Sequence, residues 1–235
     1  GQLLDHTGPV AASERNAARI FNSDHLYFVT NGTSTSNKIV WHSTVAPNDI
    51  VVVDRNCHKS ILHAIMMTGA VPVFLMPTRN NFGIIGPIPK SEFLWENIQK
   101  KIAANPFITD KTAKPRVLTI TQSTYDGILY NVEDIKEELD GKIDTLHFDE
   151  AWLPHAAFHD FYGDYHAIGA DRPRCKESMI FSTQSTHKLL AGLSQASQIL
   201  VQDCENRQLD RDIFNEAYLM HTSTSPQYSI IASCD

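Results

Sequence analysis

Lys188, in Ser185-Thr186-His187-Lys188-Leu189-Leu190, is a lysine set among apolar neighbours, with Leu193 close behind. Such a setting withdraws an amine from water, lowers its pKa and makes it a candidate Schiff-base nucleophile. It equally suits a lysine that snorkels its ammonium to the surface. Asp149 ends the apolar run of His147-Phe148-Asp149-Glu150-Ala151-Trp152, and strand alternation turns Glu150 to the opposite face, so at most one of the two carboxylates meets a ligand. That carboxylate could hold a cationic ring nitrogen or simply cap a turn. The segment Asn31-Gly32-Thr33-Ser34-Thr35-Ser36-Asn37 offers hydroxyls and free N–H groups at a helix start. This arrangement suits a phosphate, and also an ordinary N-cap. It matches neither GxxxxGK[ST] nor GxGxxG, because Lys38 is misplaced and no second glycine follows. His58, in Asp54-Arg55-Asn56-Cys57-His58-Lys59-Ser60, opens a further helix.

As a set, these groups match the needs of pyridoxal phosphate: an anion cradle, a carboxylate for the pyridinium nitrogen, a ring to stack and an amine for the aldimine. A rival set is a metal-dependent hydrolase built on His147, Asp149, His155 and His159, the last two spaced as HxxxH. Pro154 and the aromatic run 158–162 argue against a regular helix there. No GxSxG is present to anchor a serine hydrolase.

The elements that must position these groups alternate. Short apolar runs at 26–30, 50–54, 71–76, 116–122, 144–149, 178–183 and 198–201 read as strands. Helical periodicity occupies 34–44, 58–68, 91–104 and 132–139, and 158–175 reads as an irregular surface excursion. Strands alternating with helices, several apolar on both faces, predict an α/β domain with a mainly parallel sheet flanked by helices. Ligands of such sheets bind beyond the carboxyl ends of the strands. With no internal repeat or linker-like stretch, a single domain over 1–235 is expected.

The 20 Lys+Arg are outnumbered by 27 Asp+Glu, and no basic run is present, which argues against nucleic acid or an anionic membrane as partner. Cys57, Cys175, Cys204 and Cys234 form no CxxC pair, which fits reduced thiols in a cytoplasmic protein. The chain opens at Gly1 without an initiator Met, so a piece of a longer protein is expected.

Five segments also resemble a known family. Gly32-Thr33-Ser34-Thr35-Ser36-Asn37, Asp54-Arg55-Asn56-Cys57-His58-Lys59-Ser60, Phe148-Asp149-Glu150-Ala151-Trp152, Ser185-Thr186-His187-Lys188 and Met220-His221-Thr222-Ser223-Thr224-Ser225-Pro226 look like the major domain of the bacterial Orn/Lys/Arg decarboxylases. These are pyridoxal-phosphate enzymes of the aspartate aminotransferase fold (fold type I). The resemblance implies that Lys188 carries the cofactor, Asp149 keeps its ring nitrogen protonated and His58 stacks on the ring, with Ala151 on the other face and Trp152 beside it. Ser34, Thr35, Ser185 and His187 would bind the phosphate. Ser223 of a neighbouring subunit would also reach it, placing the site at the interface of a homodimer or higher homo-oligomer.

The implied reaction releases CO₂ from a basic amino acid and leaves the amine, with His187 and Lys188 as candidates for returning a proton to Cα. Residues 51–60, Met67-Thr68-Gly69-Ala70, Gly83-Ile84-Ile85-Gly86-Pro87-Ile88 and Glu150 look most like the arginine-directed members, with lysine or ornithine as the other substrates. A pyridoxal-phosphate aminotransferase shares the same apparatus and is the nearest rival. The family's flanking N-terminal and C-terminal regions are not in this sequence, which again points to a fragment.

Overall fold

The computed structural model describes residues 2–170 and 172–235. The chain runs through α1 (Gln2–Asp5), α2 (Gly8–Ile20), β1 (His25–Val29), α3 (Gly32–Thr44), β2 (Ile50–Asp54), α4 (Lys59–Thr68) and β3 (Val71–Leu75). It continues through α5 (Trp95–Ala104), β4 (Val117–Thr121), α6 (Val132–Leu139), β5 (Thr145–Asp149) and β6 (Met179–Gln184). It closes with α7 (Thr186–Leu189), β7 (Ser197–Gln202), α8 (Arg211–Met220) and α9 (Tyr228–Ala232). The strands form one sheet in the order β1-β7-β6-β5-β4-β2-β3.

Burial explains why the central strands look uniformly apolar. In β2, Val51 and Val53 enter a cluster with Trp41, Val45, Ile61, Ala64 and Val117, while Ile50 and Val52 enter the larger core on the other face. A strand covered on both faces has no polar side to alternate with. Each such valine contributes about 1.5–3 kcal/mol by leaving water. All pairs are parallel except those made by β7, which runs antiparallel to both β1 and β6.

The carboxyl ends of β1, β2, β4, β5 and β6 therefore share one edge, and Gly32, His58, Asp149 and Lys188 stand at it or just beyond it. Gly32 sits there with φ of 73°, a left-handed conformation in which an L side chain is strained. No helix among the described residues is long and apolar enough to cross a membrane.

The expected strands all form, most shifted by a residue or two; the first is His25–Val29 instead of 26–30. The helix expected over 91–104 begins as a tighter turn at Lys90–Phe93 before α5 starts. Residues 158–170 and 172–175 are irregular as expected, with short tight turns at Ala156–Phe158 and Asp160–Tyr165, and residue 171 of that stretch lies outside the described residues. Helix α2 has no counterpart in the periodicity, because its buried stripe is Val10, Glu14, Ala17 and Ala18. Alanines and a carboxylate give little hydrophobic contrast. Glu14 is buried because it accepts the Phe28 amide at 3.2 Å and pairs with His6 at 3.1 Å.

Candidate active site

Beyond that sheet edge lies a cavity of about 600 Å³, lined by Thr33, Ser34 and Asn37 of α3, His58, Asp149, Ala151, Trp152, Ser185, His187 and Lys188. Most residues expected to act together thus meet around one space.

Two do not. Thr35 and Ser223 line an adjoining cavity of about 220 Å³ that shares Gln195 with the first. Successive residues on a helix point about 100° apart, so Thr33 and Ser34 face the main cavity and Thr35 turns away. Thr33 holds the N-terminus of α3 to the turn after β6, with its Oγ1 2.6 Å from Ser185 Oγ and 3.0 Å from Ser197 Oγ. The Asn31 side chain makes no N-cap hydrogen bond, so the hydroxyl-rich segment is not an ordinary capping turn.

Asp149 is 4% exposed, and burial pushes its pKa up. Opposing that shift, Asn37 Nδ2 donates to Oδ2 at 3.0 Å and the Ala151 amide to Oδ1 at 3.2 Å, while His58 and Lys188 add favourable charge. For Lys188, burial lowers the pKa and Asp149 acts against it. The source of that desolvation differs from the sequence expectation, since Leu189 and Leu193 are 46% and 51% exposed. The ammonium lies 4.4 Å from the centre of the Trp152 ring, so the cavity wall shields it. Tyr125 packs edge-on against the same indole at 5.3 Å.

His58 caps α4 through Nδ1, which accepts the Ser60 amide at 3.1 Å and lies 2.8 Å from Ser60 Oγ. Burial lowers its pKa, and Asp149 opposes the shift. His187 Nδ1 lies 2.9 Å from the Ala196 carbonyl, which accepts the Nδ1 proton and fixes the orientation of the ring. Asp54, at the end of β2, accepts the Asn56 amide at 2.7 Å and braces the loop leading to His58. Burial raises its pKa to about 6.

Glu150 faces away from the cavity, as alternation predicts. It accepts the Ala167 amide at 2.9 Å and the Ser182 hydroxyl, and burial pushes it up to about 7. It ties the backbone at Ala167 to β6 and does not line the cavity. The hydrolase set does not assemble. His147 is enclosed by Thr119 and Thr183 at 3.0 and 2.9 Å. His155 pairs with the Tyr162 hydroxyl at 3.1 Å, and His159 accepts the Phe161 amide at 3.0 Å. Among the described residues no group of three or more His, Cys, Asp and Glu could hold a metal.

Asn37 and Thr33 escaped the sequence reading as site residues. The available signal was their spacing, since residues four apart in α3 share a face.

An amine, a buried carboxylate, an imidazole and a helix N-terminus around one cavity, at the carboxyl edge of a mainly parallel sheet, define an α/β domain equipped for amine and carbonyl chemistry. The chain belongs to the Orn/Lys/Arg decarboxylase family, whose major-domain model matches residues 1–235. It is 57% identical to the lysine decarboxylase LdcA of Pseudomonas aeruginosa, covering 100% of this chain and 31% of that protein. It is 46% identical to the biodegradative arginine decarboxylase of Escherichia coli, again over 100% of this chain and 31% of that protein. The solved structure of lysine decarboxylase A from Pseudomonas aeruginosa superposes with a TM-score of 0.93 over 99% of this chain and 31% of that one, at 57% identity. The serine palmitoyltransferase of Sphingomonas wittichii, 11% identical, shares the fold alone, with a TM-score of 0.67 over 95% of this chain and 48% of its own. The fold expectation, an aspartate aminotransferase-like large domain, holds. The expected lean towards arginine does not: similarity to the lysine decarboxylase exceeds that to the arginine decarboxylase. The chain spans about a third of the length of these decarboxylases.

Proposed function

We propose that residues 1–235 are the cofactor-binding major domain of a longer cytoplasmic enzyme that removes CO₂ from a basic amino acid, with pyridoxal phosphate held in the main cavity. The observation that carries this reading is that Lys188 and Asp149 line one cavity together with the N-terminus of α3. The residues fit the group in charge and chemistry. Lys188 is a partly desolvated amine suited to a carbonyl, and its position against Trp152 keeps it at the cavity wall. Asp149 is a buried acceptor suited to a protonated ring nitrogen. His58 and Ala151 stand on the cavity lining where a planar ring could be held between them. Thr33, Ser34 and the helix N-terminus, with Ser185 and His187, supply the donors a phosphate needs.

When bound, the cofactor supplies a sink for the electrons left behind as CO₂ departs. Asp149 contributes by holding the ring nitrogen's proton, so the sink keeps its positive charge. Lys188 and His187 both line the cavity, and either would return a proton to the substrate carbon. Ser223 lies in the adjoining cavity and would serve the phosphate of a neighbouring subunit, in a homodimer or larger homo-oligomer. Of the substrates named by the relatives, lysine takes first place on identity, with arginine and ornithine beside it.

The test is an assay of the full-length protein with lysine, arginine and ornithine in parallel, following CO₂, the amine and any oxo acid. CO₂ with stoichiometric amine supports the reading. Oxo acid without CO₂ would indicate an aminotransferase and overturn it.

A further inference from the structure

Behind Asp149 runs a set of buried polar side chains that nothing above requires. The Trp41 indole donates to Thr119 Oγ1 at 3.1 Å, and Thr119 Oγ1 lies 3.0 Å from His147 Nδ1. His147 Nε2 lies 2.9 Å from Thr183 Oγ1, which donates to Asn37 Oδ1 at 2.7 Å. Asn37 Nδ2 then reaches both Asp149 Oδ2 and Ser60 Oγ at 3.0 Å. Finally, Ser60 Oγ lies 2.8 Å from His58 Nδ1. Trp41, Thr119, His147, Thr183 and Asn37 are all fully buried, so no water can substitute for a lost partner.

The proton order along this chain follows from its ends. An indole can only donate, and an ionised carboxylate can only accept. Thr119 therefore accepts from Trp41 and gives its own proton to His147 Nδ1. The His147 proton sits on Nε2 and goes to Thr183. The Thr183 proton goes to Asn37 Oδ1, which leaves the amide nitrogen facing Asp149 and Ser60. Having accepted from Asn37, Ser60 passes its hydroxyl proton to His58 Nδ1, and the His58 proton is left on Nε2. The reversed order strands the Thr119 hydroxyl proton in a dry site and sets the Asn37 carbonyl against a carboxylate oxygen. Burial also lowers the His147 pKa to about 3, consistent with a neutral ring that donates on one side and accepts on the other.

We infer that this single-sense chain from Trp41 through His147 locks the Asn37 amide, making Asn37, Thr183 and Ser60 positioning residues for the Asp149 carboxylate and the His58 ring. With Asn37 and Ala151 both donating to it, Asp149 is held as an anion in one orientation. The inference deepens the proposed reaction and rests on it for its kinetic consequence, although the proton order itself does not.

The experiment uses the full-length protein labelled with ¹⁵N-histidine, examined by solid-state NMR without cofactor, the His147 signal being identified by its loss in His147→Gln. The His147 ring proton is expected on Nε2 in the unsubstituted protein. In the protein loaded with pyridoxal phosphate, Thr183→Val is expected to lower kcat about tenfold with KM changed by less than about twofold, and Thr183→Ser to restore it. A His147 proton on Nδ1, or a folded Thr183→Val with unaltered kcat, overturns the inference. Should Thr183→Val fail to fold, the His147 tautomer decides. If the full-length protein neither takes up the cofactor nor releases CO₂, the proposed function fails, and the tautomers of the unloaded protein still decide the chain.

Discussion

At the scale of single residues, the cavity separates groups that perform chemistry from groups that only shape it. Lys188→Ala should abolish the visible absorbance that the full-length protein acquires with pyridoxal phosphate, and borohydride should no longer fix the cofactor to the chain; a retained band would remove Lys188 from its role. Asp149→Asn keeps the shape and loses the charge, so kcat should fall about 10²–10³-fold, the size of loss seen when one preorganised electrostatic contact is removed. Glu150 makes a prediction about stability. Its folded pKa of about 7 lies above the roughly 4.3 of an unfolded glutamate, so the folded state binds the extra proton. Its contribution is therefore full below about pH 4 and is lost as pH rises through about 7, and Glu150→Gln should flatten the decline of Tm between about pH 5 and 8. His147 has the opposite sign. Its folded pKa of about 3 lies below its unfolded value, so its contribution is lost as pH falls through about 6.5 towards 3.

At the scale of elements, α3 does the most positioning. Its first turn faces the cavity, Thr33 is tied to Ser185 and Ser197, and Asn37 one turn later meets Asp149. Entry to this helix requires Gly32 in a left-handed conformation, yet nothing lies within 4 Å of where a Cβ would stand. Gly32→Ala should then cost about 1–2 kcal/mol through backbone strain alone, without a clash, and weaken phosphate binding as the first turn shifts. A calorimetric Tm and a titration with pyridoxal phosphate check the two effects separately. Periodicity exposed α3 because Ile39, Val40 and Trp41 are buried, whereas α2 stayed hidden behind its alanines.

For the whole molecule, the prediction concerns how sites are shared. If Ser223 serves a neighbouring subunit, Lys188→Ala and Ser223→Ala subunits expressed together should form hybrids with one intact site in two, and activity should rise above that of either variant alone. No rise would confine the site to one chain. Local composition already determined the run of strands, the sheet's two covered faces and the residues at its carboxyl edge, because burial on both faces leaves a continuous apolar signature and turns concentrate Gly, Ser, Asn and Asp. It also distinguished Asp149 from Glu150, since alternation is a property of the strand itself. Only the tertiary structure decided that Thr33, and not Thr35, faces the cavity, that Trp152, and not the leucines, shields Lys188, and that β7 runs against its neighbours. It alone showed that Asn37, whose partners Asp149 and Thr183 lie 112 and 146 residues away, stands behind the carboxylate. Pairings across such separations are set by how the sheet and α3 pack together, and no local pattern in the chain encodes them.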